Sequence, residues 1–203
     1  MKAILLLNGE PYPHPIHTEG AYVYCCDGAY NWAHGRVRID ENVGDFDSLS
    51  IIPSPPPREV YPSEKDKTDG ELALDLALSA GATQIDIYGG GGGREDHFLG
   101  NLHLLYKAHR AGVRARMITE RSVFLIGEGE IHLPAPRSAT FSVVPFGGDA
   151  HILHSSGLKY PMEDLWLRYG STRGISNVTE RDDARFFSEG TVLVIVNSEK
   201  EGA

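Results

Sequence analysis

Over roughly the first 120 positions, short apolar runs alternate with apolar residues spaced at helical intervals. The runs Ala3–Leu7, Tyr22–Cys26, Arg36–Val43, Arg58–Tyr61, Gln84–Tyr88 and Val113–Thr119 predict strands. Between them, Thr68–Ala80 sets Leu72, Ala73, Leu76 and Ala80 along one stripe and stops at Gly81. Asp96–Ala111 repeats the pattern with Phe98, Leu102, Leu105 and Ala108, and Gly112 follows its end. Strands that alternate with helices predict a largely parallel sheet flanked by helices. Pro53–Pro57 holds four prolines and reads as an exposed connection.

After Thr119 the helical spacing disappears. Ser122–Ile126, Glu130–Leu133, Thr140–Pro145, Ala150–Leu153, Leu165–Tyr169, Arg185–Phe187 and Thr191–Asn197 are strand-like runs between Gly, Pro and Ser turns. The expected organisation is therefore an α/β domain over residues 1–121 and a small all-β sandwich domain over residues 122–203.

Composition narrows the function. Hydrophobic residues make up 41% and charged residues 23%, as in ordinary globular chains. A formal net charge of −9 without a Lys/Arg cluster excludes the usual electrostatic footprint for nucleic acid, so an anionic ligand needs local cations or backbone N–H groups. The apolar run Ile4–Leu7 is far too short to span a bilayer, and adjacent Cys25 and Cys26 point to opposite faces of a strand. A cytoplasmic, reducing compartment is expected, with no membrane partner.

In open α/β sheets, ligands bind beyond the carboxyl ends of the strands, so polar residues directly after strands are the candidates. Asp27 follows one strand and precedes Gly28. Gly44-Asp45-Phe46-Asp47-Ser48 follows the next; if extended, it points both carboxylates to one side, where they can ligate a hard cation such as Mg²⁺ directly or through water. Lys65-Asp66-Lys67-Thr68-Asp69 opens a helix, where Asp66 or Thr68 would serve as N-cap, yet Asp66 and Asp69 also share a face. The five glycines Gly89–Gly93, then Arg94, Asp96 and His97, with Asn101 one turn beyond, suit a backbone that closely approaches phosphate. A flexible glycine linker is the plainer reading of that run. The histidine pairs His14/His17 and His151/His154 lack acidic or cysteine company, and no nucleophile elbow occurs.

Taken in order, Asp27-Gly28-Ala29, Gly44-Asp45-Phe46-Asp47-Ser48, Lys65-Asp66-x-Thr68-Asp69 and Gly92-Gly93-Arg94-x-Asp96-His97-x-x-x-Asn101 resemble the signature set of thiamine pyrophosphokinases. The resemblance continues at Gly157-Leu158-Lys159-Tyr160-Pro161 and Gly174-Ile175-Ser176-Asn177. It implies a catalytic α/β domain, a thiamine-binding β-sandwich, and a homodimer with thiamine sites between subunits. It also implies that Asp45, Asp47, Asp66 and Asp69 surround Mg²⁺ and the phosphates of ATP, with Asp27 nearby. Gly92, Gly93, Arg94, Asp96 and Asn101 would complete the ATP side, and Ser176 and Asn177 would contact thiamine. The reaction implied is diphosphate transfer from ATP to the thiamine hydroxyl. The alternatives are another Mg²⁺-dependent phosphotransferase or nucleotide hydrolase, and a non-catalytic thiamine or thiamine diphosphate binder.

Overall fold

The computed structural model describes residues 1–46, 49, 53, 58–62 and 66–197. The chain divides into two compact units, Met1–Glu120 and Arg121–Ala203. In the first, strands β1 (Lys2–Leu6), β2 (Ala21–Cys26), β3 (Glu41–Gly44), β4 (Arg58–Val60), β5 (Gln84–Tyr88) and β6 (Arg114–Ile118) pair in parallel in the order β6-β5-β1-β2-β3-β4. Successive strands step outward from β1 to β4, and β5 then returns to the other flank of β1. The switch in strand order between β1 and β5 opens a crevice at their carboxyl ends.

Helices pack on both faces of that sheet. A 3₁₀ turn at Asp27–Ala29 leads into the short α1 (Tyr30–Ala33), whose Ala33 packs with Ile4, Leu6, Val23 and Cys25. On the other face lie α2 (Asp69–Ser79) and α3 (Glu95–Arg110). Both end alike: Ala82 N donates to Ala77 O and Gly81 N to Leu78 O, and Val113 and Gly112 repeat this with Ala108 and His109. In β5 the buried Asp86 carboxylate accepts Arg116 Nε and Nη2 of β6 at 2.9 and 3.0 Å and pairs with Lys2 of β1 at 3.1 Å. One carboxylate thus ties three strands together.

Three expectations change. The run Arg36–Val43 forms a strand only from Glu41, because Asp40 is spent on β2: its carboxylate accepts Val23 N at 2.9 Å, and Arg38 reaches Ala21 O and Asp40. In α2 the buried face is Gly70, Ala73, Leu74 and Ala77; Leu72 and Leu76 are half-buried and Ala80 is exposed. The side with the smallest residues lies closest to the sheet, which a hydrophobic stripe does not reveal. Pro53 is buried rather than exposed, and the other three prolines fall outside the described residues.

The second unit carries β7 (Ser122–His132), β8 (Thr140–Pro145), β9 (Ala150–Ser156), β10 (Leu165–Leu167), β11 (Asn177–Val178) and β12 (Arg185–Asn197), all paired antiparallel. Two of these strands each join two of the predicted runs. Strand β12 pairs with β7 along its length, with β9 through its first half and with β8 through its second. The fork encloses Phe141, Val143, Ile152, Leu167, Phe186, Val192 and Val194. Phe186 is fully buried, so Phe186→Ala should destabilise this unit by about 3–5 kcal/mol. Chemical denaturation would measure the change, and a loss below about 1 kcal/mol would mean that the core refills the space.

Candidate active site

The carboxyl ends of β1, β2, β3 and β5 and the start of α2 and α3 enclose a cleft of about 740 Å³. Its lining includes Asn8, Asp27, Asp45, Asp69, Arg94 and Asn101 together with Gly90, Gly92 and Gly93. Three carboxylates and one guanidinium therefore face one space. One carboxylate oxygen of Asp27 and one of Asp69 are buried. Backbone shape delivers them: Asp27 turns out of β2 with φ 34°, and a Cβ on Gly44 would sit only 2.8 Å from that of Asp27. Phe46 takes φ 60°, so the stretch after Asp45 is not extended and the expected alternation fails there. Asp47, Ser48 and Lys65 lie outside the described residues.

The glycine run serves the chain's own packing as well as lining the cleft. Most of it approaches its own chain. Leu7 N, Gly9 N and Glu10 N donate to Tyr88 O, Gly89 O and Gly91 O at 2.8, 2.8 and 2.7 Å, which continues the β1–β5 pairing past the ends of the strands. A Cβ on Gly9 would meet Gly89 O at 2.4 Å, and one on Gly89 would meet Leu7 O at 2.2 Å. A Cβ on Gly90 would strike Met117, and one on Gly92 would strike Glu10; only Gly93 has open space around it. Asn101 Nδ2 donates to Gly90 O at 2.8 Å and braces the turn from α3.

At the start of α2 the cap is Thr68, whose Oγ1 accepts Glu71 N at 3.2 Å, while Lys67 pairs with Asp75 at 2.9 Å. Thr68 both caps the helix and lines the cleft. Asp66 is exposed and outside the lining. Asp96 also lies off this cleft, in an adjoining pocket of about 520 Å³, and binds Arg94 in a fork at 3.1 and 2.6 Å. That guanidinium foremost holds the Asp96 carboxyl down to about 2. Cys26 reaches the floor of the cleft, its Sγ 3.6 Å from Asp69 O; burial above all, then Cys25, Asp69 and Asp27, pushes its pKa well up. It is a neutral thiol and no nucleophile.

Asn8 and Gly9, which lie in none of the motifs, also line the cleft, as do Thr68 and His97, which lie in two of them. Asn8 was findable, since it directly follows the first strand, as Asp27 and Asp45 follow theirs. In the second unit Ser176 is exposed with φ 64°, and its N–H donates to Ser142 Oγ at 3.1 Å. Asn177 is buried, and its side chain is engaged: Oδ1 accepts Tyr160 N at 3.1 Å and Nδ2 donates to Tyr160 O at 2.7 Å.

Residues 15–117 match the family described as thiamin pyrophosphokinase, catalytic domain, and residues 128–193 match thiamin pyrophosphokinase, vitamin B1 binding domain. This chain belongs to the thiamine pyrophosphokinase family. It is 37% identical over 164 residues to the thiamine pyrophosphokinase of Bacillus subtilis (strain 168), covering 76% of this chain and 77% of the relative. The crystal structure of thiamine pyrophosphokinase from Bacillus subtilis matches with a TM-score of 0.86 at 28% identity, over 98% of this chain and 100% of that one. That from Geobacillus thermodenitrificans gives 0.84 at 27%, over 99% of each. Membership establishes the resemblance read from the motifs and makes the chain a diphosphate-transferring enzyme of thiamine.

The Arg94–Asp96 fork generates a titration prediction. A carboxyl held below its ordinary 3.8 contributes its pairing above that value and loses it as pH falls through about 2. Carbon-detected NMR should place the Asp96 midpoint near about 2, and Arg94→Met should return it toward 3.8. An unmoved midpoint in the variant would assign the shift to the His97 N–H, which donates to Asp96 at 2.9 Å.

Proposed function

We propose that the cleft holds the triphosphate of ATP with Mg²⁺, and that the chain passes the terminal diphosphate to the thiamine hydroxyl, releasing AMP and thiamine diphosphate. The supporting observation is the meeting of Asp27, Asp45, Asp69, the glycine turn and Arg94 around one cleft at the strand ends. In the transfer, the thiamine oxygen bonds to the β-phosphorus and loses its proton, while the oxygen bridging the α- and β-phosphorus leaves with AMP.

The donor set suits Mg²⁺, which takes oxygen ligands and is commonly held by one or two carboxylates, waters and substrate phosphates. Among the described residues no three His, Cys, Asp or Glu side chains gather closely enough to hold a metal ion. Asp45 and Asp69 would hold it, together with Asp47 of the same motif; Asp66 stands off the lining. When bound, the ion neutralises phosphate charge and polarises the transferred group. Arg94 binds phosphate oxygens by exchanging Asp96 for them, and Asn101 keeps the glycine turn in shape.

Thiamine recognition falls to the second unit, read as a β-sandwich. Ser176 offers an exposed hydroxyl. Tyr160 is 56% exposed on a backbone clamped by Asn177, and the Lys159 ammonium lies 5.5 Å from its ring centroid. A ring face that accepts one cation suits the thiazolium of thiamine. We further read the enzyme as a cytoplasmic homodimer with thiamine between subunits, which its two buried free thiols and the exposed Tyr160, Trp166 and Tyr169 support.

The deciding experiment incubates the protein with ATP, Mg²⁺ and thiamine and resolves the products by chromatography. Equal AMP and thiamine diphosphate, absent without thiamine or metal, are expected; phosphate release without thiamine would instead identify a hydrolase. Asp69→Asn should lose about 100-fold or more in turnover while remaining folded by circular dichroism. Tyr160→Ala should raise the thiamine KM by about tenfold and leave the ATP KM alone; a change in the ATP KM instead would move Tyr160 out of thiamine binding.

A further inference from the structure

We infer that Asn8 is a catalytic donor of the transfer, its side-chain amide hydrogen-bonding the β-phosphoryl group of ATP as that group passes to thiamine. This deepens the reading of the cleft as the site of ATP with Mg²⁺, and rests on it.

Position is the first argument. Asn8 lies just past β1, the strand paired between β5 and β2, and it is exposed, so a ligand can reach it. In the cleft it is flanked by Asp27 from the end of β2 and by Gly90 and Gly92 from beyond β5. Asp45 stands one strand further on the first side, and Arg94 follows the glycines on the second. A triphosphate laid along this row, from the acidic strand ends to the glycine turn and Arg94, has its middle phosphorus over β1. That phosphorus is the one the thiamine hydroxyl attacks.

Rigidity is the second. Leu7 N and Gly9 N, on either side of Asn8, donate to Tyr88 O and Gly89 O, each at 2.8 Å, so the backbone that carries the amide is held at both neighbours. The side chain rests on the bare Cα of Gly28, where a Cβ would come within 2.2 Å of Nδ2 and 2.5 Å of Cγ. A donor set in place before the ligand arrives needs little reorganisation when charge moves in the reaction.

Chemistry is the third. Asn101 Nδ2 donates to Gly90 O, and Arg94 donates to Asp96. Among the described residues the Asn8 amide has no hydrogen-bond partner. An ammonium among three carboxylates would pair with them, and a fourth carboxylate would repel the phosphate. A neutral amide donates to a phosphate oxygen and does neither.

Asn8→Asp keeps the shape of the side chain and removes its donor, and Asn8→Ala removes the amide altogether. In assays with ATP, Mg²⁺ and thiamine, each should lower kcat by about 100-fold, with the thiamine KM and the melting temperature unchanged. A kcat close to that of the unaltered protein in both folded variants overturns the assignment, and so does a loss that comes only with a lowered melting temperature. Phosphorus-31 NMR with α,β-methylene-ATP and Mg²⁺, whose carbon bridge blocks the transfer, tests the placement. Asn8→Ala should move the β resonance of the bound analogue more than the α and γ resonances; a larger movement at α or γ overturns it. If the unaltered protein does not bind the analogue, the reading of the cleft falls and this assignment with it. Binding by the unaltered protein together with normal turnover in Asn8→Asp sinks this assignment alone.

Discussion

The lateral pairing of β1 with β5 does not stop where the strands stop, and the rest of the first unit depends on that. Three further backbone bonds, from Leu7, Gly9 and Glu10 to Tyr88, Gly89 and Gly91, carry the ladder into the loops at the switch in strand order. Two chains at that separation leave no room for side chains at Gly9 or Gly89. The glycines are therefore first a demand of the protein's own packing. In the reading proposed above, their service to a phosphate follows from it: a wall of bare backbone stands where an open sheet has its crevice, and Asn101 pins that wall from α3.

Charge sets the next constraint. Asp27, Asp45 and Asp69 face the same cleft in a chain whose formal net charge is −9. A polyanion entering alone would be repelled, so the site is useful only when its occupant brings a cation. In the reading proposed above, the carboxylates that would repel ATP alone would favour ATP accompanied by a divalent metal. Burial of a carboxylate oxygen on Asp27 and on Asp69 sharpens this, since less water is present to screen them.

The sequence made the parallel sheet, α2, α3 and the acidic strand ends legible, because each depends on local pattern and on the rule that ligands sit beyond strand ends. It misled where tertiary partners decide. Arg36–Asp40 looks strand-like, but Asp40 bonds to Val23 and so breaks the run; the breaks between Ile126 and Glu130 and between Phe187 and Thr191 look like turns, yet β7 and β12 pass through them. Asn177, expected to contact thiamine, has a further task that the sequence does not reveal: its amide holds the backbone of Tyr160. No spacing rule couples two residues 17 positions apart. Asp66 and Asp69 share a motif, but a helix cap at Thr68 divides them, leaving one exposed and the other in the cleft.

The Arg94–Asp96 fork shows how the same electrostatics is made reversible. Both groups are exposed, at 73% and 65%, so water screens their attraction and little is lost when the fork opens. The geometry is nevertheless bidentate, and the planar guanidinium that matches a carboxylate matches a phosphate equally well. A buried pair would hold Arg94 against the ligand, and an unpaired Arg94 at the cleft mouth would lose more side-chain freedom on binding. An exposed partner two residues away keeps the guanidinium oriented and lets it go. In the reading proposed above, Asp96 acts on the phosphate through Arg94, so a motif carboxylate can matter while lying outside the cleft.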